Sequence, residues 1–163
     1  KLAQKTGSQS AFYLDDQMSG WEFYGNHIEN ATTGVLLGGG RDNHIHGNAF
    51  VNNGRDIAFD NRGMTWQAEF CSINCNPAEG AGCFHAELVR LNYTNPPYSV
   101  RYPGLANIYR DRPCVPVRNV IAGNTWCHRR SPGGARFLDR DEPTLASWLS
   151  RAAHNTEDCG GHE

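Results

Sequence analysis

The sequence predicts an all-β fold, a right-handed parallel β-helix of about four to five coils with about 22 residues in each. Three observations lead there: a repeat at one fixed offset, apolar and polar residues alternating at strand period within each repeat, and a Gly-Asn pair punctuating it. Gly25-Asn26-His27-Ile28-Glu29-Asn30 aligns with Gly47-Asn48-Ala49-Phe50-Val51-Asn52, and the same offset of 22 takes Phe23 to Ile45, Val35 to Ile57 and Leu37 to Phe59. Ile121-Ala122-Gly123-Asn124-Thr125-Trp126 repeats Ile45 to Phe50 after a long interruption, and Phe12 to Asp15 matches Val35 to Gly38 at an offset of 23. A unit this short closes no core alone. Stacked coil on coil, it buries a continuous apolar column, whereas a globular β-sandwich, the main competitor, gives no reason for a constant offset.

Alternation assigns each strand its faces. Phe23, Ile45 and Ile121 point inward on one strand, and Ile28, Phe50 and Trp126 on the next. Phe12 with Leu14, Val35 with Leu37, and Ile57 with Phe59 point inward on the third. Asn26, Asn48 and Asn124 then form an internal ladder at one turn, each amide bonding the next. Recognisable coils cover 10–63 and 117–140. The segment 64–116 contains Asn95-Pro96-Pro97 and Pro103, which exclude regular interior strands, so a long inserted loop is expected there. From 142 to 163, Pro143 followed by Leu145, Trp148, Leu149 and Ala152 at i, i+3, i+4, i+7 predicts a short helix over 142–155, then a tail. The 163 residues make a single domain or the C-terminal part of a longer β-helix.

Net charge is −2, from 15 Lys plus Arg against 17 Asp plus Glu, so no basic surplus draws nucleic acid. No apolar run approaches the 18 or so residues a membrane span needs. Cys71, Cys75, Cys83, Cys114, Cys127 and Cys159 are even in number and contain no CxxC pair. They are expected as three disulfides in an oxidising compartment, with Cys159 stapling the tail to Cys127. The sequons Asn30-Ala31-Thr32 and Asn92-Tyr93-Thr94 mark Asn30 and Asn92 as glycosylation acceptors and point the same way, to a secreted, extracellular protein.

The run GNHIENATTGVLLGGGRDNHIHGNAFVNNGRDIAFDNRG resembles the repeats of right-handed parallel β-helix proteins of the pectate-lyase-like superfamily. The segments YLDD, GGGRDN and PPYSVRYPGL resemble a less characterised, secreted branch of it. The resemblance covers roughly 10–63 and 117–130. It implies the fold more sharply than the reaction, because that superfamily includes polysaccharide lyases, glycoside hydrolases and non-catalytic surface proteins.

Candidate chemistry follows from the register. Asp15 and Asp60 fall on one outward ladder, two coils and hence about 9.6 Å apart, with Gly38 between them. That separation suits the acid and base of an inverting glycosidase, and Gly38, Gly39 and Gly40 would let a sugar approach the backbone. Turn residues that bond their own backbone are the plainer alternative. A lyase needs a base and a cation against a uronate carboxylate. Arg101 and Tyr102 are the catalytic candidates for that, delivered by the proline-rich segment. Asp16, Arg41, Arg62, Trp66 and Tyr98 would bind the substrate through charge and ring stacking. Asp15, Asp16 and Asp60 also offer the oxygens calcium prefers; no cofactor is otherwise implied. His44 and His46 share one strand face with Glu22 a coil away, the spacing of a three-ligand metal site. An exposed HxH is more often plain surface, and no metal is assigned to it. No GxSxG, P-loop, HExxH or CxxC motif supports serine hydrolase, nucleotide, zincin or redox chemistry.

The function these residues imply is binding, or cleavage, of an extracellular acidic polysaccharide; the alternative is a non-catalytic adhesive or matrix-binding module. Nothing before Phe12 and Leu14 reads as a cap, so the N-terminal end is expected to meet another polypeptide, a second chain or the remainder of a precursor.

Overall fold

The structure, a computed structural model, describes residues 10–75, 82–127, 137–138, 149–153 and 156–157. The chain divides into two compact units. One consists of Lys1–Asn61 with Pro116–Glu163, the other of Arg62–Val115.

The first unit is a stack of parallel sheets. One sheet takes β1 (Ser10–Leu14), β4 (Thr33–Gly38), β7 (Ile57–Asp60) and β10 (Phe137–Leu138). A second takes β2 (Glu22–Tyr24), β5 (His44–His46), β8 (Asn119–Ala122) and β11 (Leu149–Ala153). A third takes β3 (His27–Glu29), β6 (Ala49–Val51), β9 (Thr125–Cys127) and β12 (Thr156–Glu157). The chain visits the sheets in fixed rotation, so each sheet gains one strand per circuit, and all neighbours are parallel.

The register is the one the repeat predicts. Phe23 pairs with Ile45 and Ile45 with Ile121. Ile28 pairs with Phe50 and Phe50 with Trp126. Phe12 pairs with Val35, Leu14 with Leu37, Val35 with Ile57, and Leu37 with Phe59. Val35, Leu37, Phe50, Ile57 and Ile121 have no solvent exposure, and Ile45 and Trp126 almost none. Phe12 departs from the expected burial at 43% exposed. It sits on the first coil, where only its edge-to-face partner Phe23, with ring centres 4.5 Å apart, covers it among the described residues.

Buried asparagines hold the corners. The Asn48 Oδ1 accepts both the backbone N–H and the Nδ2 of Asn26, and the Asn124 Oδ1 accepts the same pair from Asn48. The Nδ2 groups also donate to carbonyls of the preceding strands, Asn48 to Phe23 and Asn124 to Ile45. Gly25, Gly47 and Gly123, each just before one of these asparagines, have φ of 67°, 60° and 62°, a left-handed backbone that glycine adopts without strain. Two further corners use the same device, which the sequence reading did not anticipate. Asn43 and Asn119 form a second ladder, and Asn53 accepts from the Ala31 N–H while donating to the Ile28 carbonyl.

The inserted segment leaves the coil register intact. Ladder partners that are 22 residues apart in the early coils are 76 apart across it. The difference, 54, is the length of the unit Arg62–Val115.

The expected helix over 142–155 is corrected. Residues 149–153 and 156–157 are strands, Ala152 pairing with Ile121 and Thr156 with Thr125. The edges of β8 and β9 offer unpaired backbone groups, and satisfying them outweighs the helical spacing of a few apolar side chains. Residues 142–148 of that expected helix lie outside the described residues.

The second unit is helical rather than a plain loop. It contains a 3₁₀ turn at Arg62–Met64, α1 (Ala68–Cys71), α2 (Phe84–Arg90), α3 (Tyr98–Arg101) and a 3₁₀ run at Pro103–Arg110. Disulfides Cys71–Cys114 and Cys75–Cys83 pin it. Cys127, in the first unit, is also disulfide-bonded; its expected partner Cys159 lies outside the described residues. Within the second unit, burial and neighbouring Tyr93 push the Tyr109 phenol above its ordinary pKa.

Candidate metal centre on the second sheet

Strand alternation builds a cluster on the outer face of the second sheet. Glu22 pairs with His44 and Tyr24 with His46, while Phe23 and Ile45 between them turn inward. Inward burial of Ile45 fixes β5, so its two histidines project together to the other side. The His46 Nε2 lies 2.9 Å from the Glu22 Oε1, and the His44 Nδ1 lies 4.0 Å from the same oxygen. The imidazoles stack with centres 4.1 Å apart, and Tyr24 stacks on His46 at 5.2 Å, nearly parallel. One ligand atom from each of Glu22, His44 and His46 falls within 4.8 Å of the others. Two imidazole nitrogens and a carboxylate oxygen suit Cu²⁺, Zn²⁺ or Ni²⁺ far better than Ca²⁺ or Mg²⁺. Bonds of about 2 Å to one ion would bring these atoms roughly 3 Å apart, which small side-chain rotations achieve. The side chains are 59%, 44% and 31% exposed, so such an ion would keep open positions toward solvent.

The other candidate residues are distributed over both units. Gly38 pairs with Asp60, and Leu14 with Leu37, so Asp15 and Asp60 flank Gly38 from the coils on either side. Asp15 is an exposed turn residue whose carboxylate accepts the Asp16 N–H at 2.8 Å, and Asp16 has a φ of 39°. The glycines beside this ladder open no sugar path. Gly38, Gly39 and Gly40 are buried, and a Cβ at Gly40 would run into the Met18 carbonyl of the coil below. They permit close stacking of backbone on backbone. Arg41 is buried and lies 3.5 Å from Asp42, which also takes two bonds from Arg118, so this guanidinium faces protein rather than solvent.

In the second unit Arg62 is 2% exposed, with its guanidinium 5.3 Å from the centre of the Trp66 ring. Trp66 itself is 67% exposed. Tyr98 opens α3, Arg101 closes it, and Tyr102 follows at 56% exposed. The proline-rich segment is therefore a helix joined to a 3₁₀ run, not an extended arm. Asn30 and Asn92 are both exposed, on left-handed backbone with φ of 57° and 54°.

A family model described as periplasmic copper-binding protein (NosD) matches residues 3–86, just over half of the chain. The chain belongs to the NosD family. NosD is a parallel β-helix family, in keeping with the parallel sheets and the 22-residue register. The matched span contains Glu22, His44 and His46, the first two circuits of the stack, and β7. The NosD description places the family in the periplasm, an extracytoplasmic compartment that suits the disulfides. Among the described residues no helix is long and apolar enough to cross a membrane. No curated protein and no solved structure gives a match.

Proposed function

We propose that this protein is an extracytoplasmic right-handed β-helix that binds copper(II) through Glu22, His44 and His46. The observation behind the reading is the convergence of two imidazoles and a carboxylate within 4.8 Å on one rigid sheet face. Copper(II) stands at the top of the affinity order for divalent first-row metals at such nitrogen and oxygen sites. The family description supplies the same metal. Three protein ligands leave positions for water or a second protein's ligand, as suits an ion that is loaded and handed on. Proteins that ligate through imidazole need it neutral, so binding weakens as pH falls.

Copper titration followed by electron paramagnetic resonance tests this. The expected spectrum shows nitrogen coupling, and His44→Ala with His46→Ala weakens binding at least about a hundredfold, Glu22→Gln about tenfold. His27→Ala serves as a control and should leave binding unchanged. Unaltered copper affinity in the double histidine variant would sink the reading.

A second reading keeps the glycan expectation, favoured by the exposed rings of Trp66 and Tyr102 near the exposed Arg101 in one unit. In it, an acidic polysaccharide stacks on those rings, Asp15 and Asp60 act as acid and base or calcium ligands, and Asn30 and Asn92 carry glycans on a secreted protein. A glycan array, reducing-end assay and absorbance at the unsaturated-uronate band test it. Binding without product would leave a lectin-like module, and no binding would remove the reading.

A further inference from the structure

The two ends of the stack are complementary. Within the described residues β1, β2 and β3 are the edge strands at one end of the three sheets, and β10, β11 and β12 are the edge strands at the other. Each end presents one strand from each sheet, in the same rotation and all parallel. The first coil also holds the exposed apolar residues of this unit. Phe12, Tyr13, Met18, Trp21 and Tyr24 are 40–62% exposed, while the other exposed large apolar residues lie in the second unit. The asparagine ladder has a direction. Each rung's Oδ1 takes an N–H and an Nδ2 from the coil before it, Asn124 from Asn48 and Asn48 from Asn26. Among the described residues nothing donates to the Asn26 Oδ1, so the ladder ends on an acceptor that fits one more asparagine.

The donor it fits sits at the opposite end of the same chain. Strands β3, β6, β9 and β12 are each directly preceded in the sequence by asparagine, at 26, 48, 124 and 155. We infer that the first coil is an interface for the C-terminal end of a second copy of this chain, joined head to tail. Strands β10, β11 and β12 of one copy would extend the sheets at β1, β2 and β3 of the next, and the Phe12 and Phe23 rings would be covered. Such a joint is heterologous: it leaves a free end on each copy and propagates into a filament unless the rotation closes.

Sedimentation velocity and hydrogen exchange of the full chain over about a hundredfold rise in concentration test this. The expected result is mass growing beyond a dimer, with amide protection rising together in 10–29 and in 149–157. Phe12→Asp and Asn26→Ala should each weaken association at least about tenfold, the scale of one lost buried contact. Circular dichroism identifies a variant that fails to fold, and the other variant then decides. A protein that stays monomeric, a dimer that protects only 10–29 and so joins head to head, or association unmoved by both variants would each overturn the inference.

Discussion

Asn48 shows how much one side chain can hold in this architecture. It is 1% exposed, donates to the carbonyls of Phe23 and His46 and to the Asn124 Oδ1, and accepts two bonds from Asn26. Replacing it by alanine leaves those groups inside the stack without partners. Asn48→Ala is expected to cost at least about 1–3 kcal/mol in urea unfolding. A loss of a few tenths would mean that the ladder is incidental to stability. Asn48 was legible in the sequence because it recurs beside glycine at a fixed offset. Asn43, Asn53 and Asn119 were not, since no glycine flags them and each sits at a corner whose length varies. The metal cluster was visible as a spacing only. An HxH with a carboxylate one coil away reads the same whether the sheet face is bare or ligating, and the 2.9 Å approach of Glu22 to His46 becomes visible only once the register is built.

Among the elements, the strands of the early coils were legible because burial of one face fixes the phase of every residue. The C-terminal strands were not. Leu149 and Ala152 satisfy a helical spacing, and the pairing that makes them β11 is supplied by β8, which precedes them by about a coil's length. The asparagine that precedes Thr156, like that preceding Thr125, was the overlooked signal. In the second unit prolines correctly excluded strands, yet they did not exclude helices, since Pro97 and Pro103 sit at helix starts where a missing N–H costs nothing. Its disulfides belong to this scale as well. Cys71–Cys114 closes 43 residues and is expected to contribute about 2–4 kcal/mol to the stability of its unit. Thiol titration of the denatured, unreduced protein should find no free cysteine. Two or more titratable thiols would contradict the oxidised assignment.

At the scale of the whole molecule, the coil stack and the inserted unit have separable sequence rules. Excising Arg62–Val115 and joining Asn61 to Pro116 restores the 22-residue period between Asn43 and Asn119. The shortened chain is expected to keep its β circular dichroism and its copper affinity at the Glu22, His44 and His46 cluster. Loss of both would show that the stack depends on the insertion. If glycan binding is also found, the deletion sorts the chemistry. Binding that disappears with Trp66, Arg101 and Tyr102 belongs to the insertion, and binding that persists belongs to the stack.

The insertion also changes the order in which this chain can fold. In the first two circuits each new strand docks on one made only about 22 residues earlier, a local and rapid step. Strand β8 must find β5 across the whole of Arg62–Val115. Closing an unstructured loop of that length rather than a corner of a few residues costs roughly 2 kcal/mol of chain entropy. A Cys71–Cys114 bond formed beforehand draws most of that loop together, so oxidation of the insertion becomes a kinetic gate on completing a stack that it does not belong to. In a reducing refolding buffer the first two circuits should gain amide protection on the usual timescale, with β8 and β9 lagging behind them.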